Sequence, residues 1–293
     1  MPWLQLKIQT TSEYADAISM MLNLFGAKSV TLLDAADQPI LEPTPGSTPI
    51  WQNDWIVGLF DQPINPEQIL NFLRVQYGDK VVLNYSIEQL ADKDWERAWL
   101  EHFQPMRFGN HLWICPSAYE PPDASAVNII LDPGLAFGTG THPTTALCLE
   151  WLDSHSPNKQ GVIDYGCGSG ILAIAALKLG ASEVWAIDYD EQALEATHDN
   201  AARNQINFAT IHITLPKQLP DIQVDLLLAN ILATPLIELA SKFSQLIKAG
   251  GKIVLSGILA DQTDSVIKAY EPFFTVAEPK QKEDWILLEG IRK

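Results

Sequence analysis

The sequence predicts an α/β protein in which a doubly wound parallel sheet follows a smaller α+β domain. Three observations predict this fold class. From residue 162 onward, apolar strand-like segments alternate with helical segments, which is typical of a parallel sheet covered by helices. The first 90 residues give the order β-α-β-β-α-β instead, which is the ferredoxin-like pattern. The length of 293 residues is sufficient for two domains.

The elements of the first domain follow from the spacing of its apolar residues. Leu4, Leu6 and Ile8 alternate with polar residues, which predicts a half-buried strand. Asn65 and Pro66 are typical of the first residues of a helix. The predicted elements are strands over 3–9, 29–34, 55–60 and 81–87, and helices over 14–25 and from 66 onward.

A single exposed helix is predicted over residues 92–103. Trp95, Trp99 and Phe103 are spaced four residues apart and share one face. This pattern fits an ordinary amphipathic helix docked on one domain. It also fits a stiff connector whose aromatic face packs differently as the domains move. We therefore divide the chain into a first domain at 1–90, a linker helix at 91–103 and a second domain at 104–293.

The second domain begins with short strands and a glycine-rich block at 132–145, after which strands and helices alternate strictly. A hairpin at its end is expected to add an antiparallel edge strand. The predicted strands are 162–165, 183–188, 210–214, 224–229, 252–256, 273–277 and 285–291, and the predicted helices are 144–155, 171–179, 191–204, 235–248 and 262–270.

Composition argues against several classes of function. The net charge of −17 argues against nucleic-acid binding and against an anionic membrane surface, and it favours a basic protein partner. The three cysteines form no C-x-x-C pair, so neither a disulfide framework nor a zinc site is expected. The six histidines have no spacing suited to a metal. Without a signal peptide or a spanning apolar run, we expect a cytoplasmic protein.

The most informative motif runs from Asp164 to Gly170 and reads D-Y-G-C-G-S-G at a predicted strand-to-helix turn. Open α/β sheets bind ligands at such turns. The spacing G-x-G-x-G differs from the G-x-G-x-x-G of dinucleotide sites. Asp164 beside the loop is expected to repel a pyrophosphate and to suit a ligand with a positive sulfonium and an amino group. The alternative is a glycine turn that binds nothing.

Two further polar residues follow predicted strands. Asp188 could accept hydrogen bonds from both hydroxyls of a ribose, which fits an adenosyl cofactor or NAD; the alternative is a helix cap, a role that Asp190 can fill. Asn230 could accept a hydrogen bond from an attacking amine and orient its lone pair. For Asn230 the alternative is a turn-forming residue before a helix.

The block at 132–145 could close over a bound cofactor, with Phe137 as a lid and Thr145 as a polar contact; the alternative is a surface loop. His142 within this block could also touch the site, whereas Cys167 is read as a small loop residue rather than a nucleophile.

These segments resemble the class I S-adenosylmethionine-dependent methyltransferases. The block at 132–145, the glycine motif and Ala229-Asn230-Ile231-Leu232 narrow the resemblance to the ribosomal protein L-eleven methyltransferase family. It covers essentially the whole chain. It implies a Rossmann-like sheet that binds S-adenosyl-L-methionine and a first domain that grips the ribosomal protein. Cofactor contacts are implied for Thr145, Gly166, Gly168, Asp188 and Asn230.

The resemblance also implies that Asn230 orients the target amine, and that the products are trimethylated lysines and a trimethylated N-terminal amine. No metal and no direct nucleic-acid contact are expected, and we expect a monomer. Three other functions remain open: an NAD-dependent oxidoreductase, a noncatalytic binding module and an RNA methyltransferase. The loop spacing argues against the oxidoreductase. The occurrence of the loop, the acid and the amide in order argues against a noncatalytic module, and the negative net charge argues against an RNA methyltransferase.

Overall fold

The structure is a computed structural model that describes residues 3–36, 38, 40, 50–61, 64–90, 104–132 and 140–293. The chain divides into two compact units, residues 1–99 and residues 100–293. The predicted helix over 92–103 lies outside the described residues. So does the part of the glycine-rich block at 133–139, which includes Phe137.

In the part of the first unit that the structure describes, a four-stranded antiparallel sheet is packed against two helices. Its strand order is β2-β3-β1-β4. The helices pack their apolar residues onto one face of this sheet, where Leu6, Ile56, Leu22 and Leu70 are fully buried. The elements are β1 (Trp3–Thr11), α1 (Ser12–Leu24), β2 (Ser29–Asp34), β3 (Asn53–Phe60), α2 (Pro66–Tyr77) and β4 (Asn84–Leu90).

Two details of this unit differ from the sequence prediction. The last strand begins at Asn84 rather than at residue 81, because Asp79–Val81 form a 3₁₀ turn that buries Val81 in the core. The side chain of Asn65 makes no capping hydrogen bond to α2. Of these two residues, only the side chain of Pro66 therefore favours the start of the helix.

The second unit contains the predicted alternation of strands and helices. Three short strands precede it and form a separate small sheet. The elements are β5 (Met106–Phe108), β6 (Leu112–Cys115), β7 (Val127–Ile130), α3 (Pro143–Ser154), β8 (Gly161–Tyr165), α4 (Ile171–Lys178), β9 (Glu183–Ile187), α5 (Glu191–Arg203), β10 (Ile211–Thr214), β11 (Val224–Asn230), α6 (Ala233–Leu246), β12 (Ile247–Leu259), α7 (Thr263–Tyr270), β13 (Phe274–Val276), β14 (Lys280–Lys282) and β15 (Trp285–Arg292).

The large sheet confirms the predicted doubly wound fold. Its order is β10-β9-β8-β11-β12-β15-β13, and the first five strands run parallel. The terminal hairpin adds antiparallel strands at one side of the sheet, as predicted. Its return strand β15 lies between β12 and β13 and is antiparallel to both, so β13 is the edge strand. The sequence leaves no local signal of which of the two hairpin strands pairs with β12.

Both faces of the large sheet are covered, because successive residues of its central strands enter opposite cores. Val162, Leu226 and Leu228 belong to one apolar cluster, whereas Ile163 and Leu227 belong to the other. Such near-continuous apolar strands are characteristic of a parallel sheet between two helix layers. The carboxyl ends of β8, β9 and β11 therefore meet at one edge, where the chain turns toward the helices. Among the described residues, no helix is long and apolar enough to cross a membrane.

Candidate active site

The loop after β8 is clamped to the end of the neighbouring strand. The backbone N–H groups of Gly166 and Cys167 both donate to the carbonyl oxygen of Ile187, at 2.7 and 3.0 Å. Gly166 has a φ of +81°, and a Cβ atom there would lie 2.3 Å from Cγ2 of Ile231. Glycine is therefore required at this position by both the backbone conformation and the packing.

Asp188 is held at the end of β9 by two backbone hydrogen bonds. Its Oδ2 accepts from the N–H of Gly168 at 3.0 Å, and its Oδ1 accepts from the N–H of Asp190 at 3.1 Å. The cap of α5 is made by Asp190, whose Oδ1 accepts from the N–H of Gln192 at 2.9 Å. Because Asp190 fills the capping role, the carboxylate of Asp188 is not needed for it.

Asn230 and Thr145 form a hydrogen bond with each other, although they lie 85 residues apart in the sequence. The amide nitrogen of Asn230 donates to the hydroxyl of Thr145 at 3.3 Å. Thr145 is fully buried in the first turn of α3, so it fixes which way the amide points. Asn230 ends β11, and the residue that precedes α6 as its N-cap is Leu232. Asn230 is therefore not the residue that starts that helix.

All five predicted site residues line one cavity of about 690 Å³. They come from α3, from the loop after β8, and from the ends of β9 and β11, and the cavity is also lined by Cys167, Tyr189 and Ile231. This volume lies within the usual range for small-molecule sites. Its position at the carboxyl edge of parallel strands is where open α/β sheets bind their ligands.

Comparison with known proteins identifies the family of the chain. The sequence matches the family described as Ribosomal protein L11 methyltransferase (PrmA) over residues 2–293. The chain belongs to the ribosomal protein L11 methyltransferase family. A relative of that name from Marinobacter nauticus is 52% identical over 100% of this chain and 99% of its own length. Another, from Shewanella sediminis, is 52% identical with full coverage of both chains.

A solved structure agrees with this assignment. The crystal structure of a ribosomal protein L11 methylase from Lactobacillus delbrueckii subsp. bulgaricus is 35% identical, with a TM-score of 0.60. It covers 65% of this chain and 100% of that chain. The sequence resemblance found from the glycine motif and its neighbours is therefore confirmed at the level of the family.

Asp164 of this methyltransferase has a different position from the one expected. It is fully buried and is not among the cavity-lining residues. Its Oδ2 accepts from the N–H of Ala173 at 2.9 Å, which ties the end of β8 to the first turn of α4. No described residue is bonded to its Oδ1.

The surroundings of His142 and Cys167 limit the chemistry that their side chains can perform. Nδ1 of His142 lies 2.8 Å from Oγ1 of Thr144, and its ring packs edge-on against Trp285 with centroids 4.9 Å apart. Burial lowers the pKa of His142, although Glu283 opposes this. Burial raises the pKa of the Cys167 thiol, so Cys167 lacks the thiolate that a nucleophile needs.

Sequence reasoning missed one residue that shapes this site. Gly257 lies in β12 with a φ of +84°, and a Cβ atom there would lie 2.3 Å from the carbonyl oxygen of Ile231. Ile231 is therefore packed between Gly257 and Gly166. The signal was present, because an isolated glycine within a strand pattern indicates a bulge or a close backbone approach. The register of β12 against β15 does shift between Leu255 and Ile258.

Proposed function

We propose that this chain transfers methyl groups from S-adenosylmethionine to amines of ribosomal protein L11, namely lysine side chains and the N-terminal amine, to the trimethylated state. The observation that carries the proposal is that the glycine loop, Asp188 and Asn230 line one cavity in a member of this family. The names of the relatives supply the protein substrate.

The lining residues fit an adenosyl cofactor. Both oxygens of Asp188 already accept backbone N–H groups, and a carboxylate oxygen has lone pairs for a second donor. It can therefore accept from ribose hydroxyls while remaining fixed. Thr145, Gly166, Gly168 and Asn230 would contact the rest of the molecule. When bound, S-adenosylmethionine supplies an activated methyl group on a positively charged sulfur.

The same loop is poorly suited to a dinucleotide. A pyrophosphate is bound by backbone N–H groups that point at it. In this loop the N–H groups of Gly166, Cys167, Gly168 and Gly170 already donate to protein acceptors, which are Ile187, Asp188 and Cys167. An NAD-dependent oxidoreductase is therefore disfavoured on geometry as well as on motif spacing.

The chain's part in the reaction is to position a neutral amine. A lysine amine has an ordinary pKa near 10.4, so it must lose a proton before it can attack. Removal from water favours the neutral form, and the cavity lining includes Ile171, Leu172 and Ile231. With the amide nitrogen of Asn230 directed at Thr145, its oxygen is the atom that can accept from the incoming amine. Positioning of this kind supplies much of the rate in a displacement reaction.

The role of Asn230 can be separated from cofactor binding. We expect Asn230→Ala to reduce the single-turnover rate by about 10- to 100-fold, because the nucleophile loses its orienting acceptor. Binding of S-adenosylhomocysteine should weaken less, since Asp188 and the glycine loop remain. Calorimetry and single-turnover kinetics measure the two quantities. Lost binding together with an unchanged rate of methyl transfer would show that Asn230 does not orient the amine.

We propose that the first unit recognises the ribosomal protein. Two features support this role. The net charge of −17 belongs to the whole chain and favours a basic protein partner. The helices of the unit also expose large apolar side chains, with Leu24 73% and Val75 87% exposed and Met20 and Phe72 nearby on the same helices. Large apolar side chains exposed on both helices are candidates for contact with a protein partner.

This recognition surface can be tested in the full chain. We expect the double variant Leu24→Asp and Val75→Asp to lower kcat/KM for the ribosomal protein about tenfold or more, with unchanged binding of S-adenosylhomocysteine. Both side chains are already exposed, so the core is preserved. Tyr119→Asp, at an exposed apolar position of the second unit, is the matched control. Equal activity of the double variant and the control would reject the assignment.

The proposed activity itself is tested by mass spectrometry. Ribosomal protein L11 is incubated with the enzyme and isotopically labelled S-adenosylmethionine, and its peptides are then mapped. We expect trimethylation at lysines and at the N-terminus. A protein that remains unlabelled after incubation with active enzyme would contradict the proposal. A cytoplasmic, monomeric enzyme is part of the same proposal.

A further inference from the structure

Asp164 is a buried carboxyl group that has no role in the proposed mechanism. It is fully buried, and its Oδ2 accepts one hydrogen bond, from the N–H of Ala173 at 2.9 Å. Its Oδ1 is bonded to none of the described residues. An ionised carboxylate in such a position is costly unless it is paired with a positive charge.

The groups that face Asp164 provide no positive charge. Cys148 of α3 and Cys167 of the glycine loop are uncharged thiols, since burial raises the pKa of each and the charge of Asp164 raises it further. The hydroxyl of Ser256 on β12 is also uncharged, and it donates to the carbonyl oxygen of Ile286 at 3.0 Å. Asp188 on β9 is the charged neighbour, and it is also negative. No described cation acts on this carboxyl group.

Asp164 is nevertheless close to the cavity in electrostatic terms. Asp164 lies two residues before Gly166, and its Oδ2 accepts from the N–H of Ala173, the residue after Leu172; Gly166 and Leu172 both line the cavity. At the low effective dielectric of a protein interior, a charge placed in the cavity acts on Asp164 more strongly than it would in water. Burial raises the pKa of Asp164 to about 7, with the Ala173 hydrogen bond lowering it and the Asp188 charge raising it further.

We infer that Asp164 ionises when a cationic ligand enters the cavity and remains protonated when the ligand is uncharged at sulfur, so that it distinguishes the sulfonium cofactor from its thioether product. This inference rests on the proposed function. On binding, the O–H bond of the Asp164 carboxyl group breaks and the proton passes to solvent. The resulting carboxylate offsets the positive sulfur. After methyl transfer the sulfur is neutral, Asp164 takes a proton back, and the product is held less tightly.

The sign of the pH dependence follows from this linkage. At a pH below the pKa of Asp164 in the ligand-free protein, binding of the cation must displace the proton of Asp164. A lower pH therefore weakens binding of the cation. Affinity for S-adenosylmethionine should therefore rise about tenfold from about pH 6 to about pH 8 and then level off. Affinity for S-adenosylhomocysteine should change much less over the same range.

The test is isothermal titration calorimetry of the full chain with each ligand, in buffers of different ionisation enthalpy. We expect S-adenosylmethionine to release more protons than S-adenosylhomocysteine near pH 7, and Asp164→Asn to remove the difference. Asp221→Asn, an exposed carboxyl outside the cavity, should retain it. If Asp164→Asn does not fold, infrared difference spectra of the wild type serve as the test instead. We expect S-adenosylmethionine to remove a protonated-carboxyl band and S-adenosylhomocysteine to leave it.

Equal proton release for the two ligands in the wild type would overturn the inference and leave the proposed function intact. A difference that persists in Asp164→Asn would overturn it as well, as would an unchanged carboxyl band. Failure of both ligands to bind is a different result, since it would overturn the proposed function and this inference with it.

Discussion

Replacing Asp188 with alanine should weaken the binding of S-adenosylhomocysteine by a hundredfold or more. Two hydroxyl hydrogen bonds to an ionised acceptor would be lost, and hydrogen bonds to charged groups contribute roughly 1.5–3 kcal/mol each. The same carboxylate also accepts from the N–H groups of Gly168 and Asp190. Its loss therefore removes a ligand contact and loosens the glycine loop, which also lines the cavity.

Asparagine at this position separates the two effects. Asp188→Asn keeps one oxygen to accept a backbone N–H group but removes the charge, so binding should fall between those of the wild type and Asp188→Ala. Titration calorimetry gives the dissociation constants, and circular dichroism verifies the fold. Asp221→Asn serves as the control because its side chain is exposed and lies outside the cavity. Wild-type affinity in Asp188→Ala would remove Asp188 from the cofactor site.

Gly257→Ala should be the most damaging small substitution in the second unit. The added Cβ would lie 2.3 Å from the carbonyl oxygen and 2.8 Å from the carbonyl carbon of Ile231, at a φ of +84°. A left-handed conformation costs about 1–2 kcal/mol outside glycine, and overpacking a tight contact adds about 1–3 kcal/mol. The backbone after Asn230 must shift in response, so we expect both a lower free energy of unfolding and a reduced rate of methyl transfer.

A second glycine of the same unit serves as the comparison. Gly250 also has a positive φ, of +77°, but a Cβ there meets nothing within 4 Å. Gly250→Ala carries the conformational cost without the clash, so it should destabilise the protein less and leave the rate unchanged. Denaturant unfolding and single-turnover kinetics measure both variants. Equal rates for Gly257→Ala and Gly250→Ala would show that Gly257 does not support the active site.

Gly166, Gly168, Asp188 and Asn230 could be predicted because each one belongs to a local pattern at a strand end. Glycine spacing after β8, an acid after β9 and an amide after β11 are all visible in the sequence, and parallel strands place their carboxyl ends at one edge. The hydrogen bond between Asn230 and Thr145, which joins residues 85 positions apart, could not be predicted in this way.

The features that the sequence left open or misplaced have the same physical origin. The sequence did not indicate which hairpin strand pairs with β12; β15 does so, and periodicity gives no information about such pairing. Asp164 was expected to face a ligand because it adjoins the loop, but the alternation of β8 directs it into the protein interior. Gly257 as an isolated glycine in a strand pattern indicated a close backbone approach, but its partner Ile231 became known only from the structure.

The central claim is that one cavity at the carboxyl edge of the sheet holds an adenosyl cofactor next to an incoming amine. A crystal structure with S-adenosylhomocysteine tests it most directly. We predict electron density in the cavity, with the ribose hydroxyls hydrogen-bonded to Asp188 and the sulfur on the side of Asn230 and Thr145. Well-ordered ligand density at another place on the protein, with the cavity filled by solvent, would contradict the account.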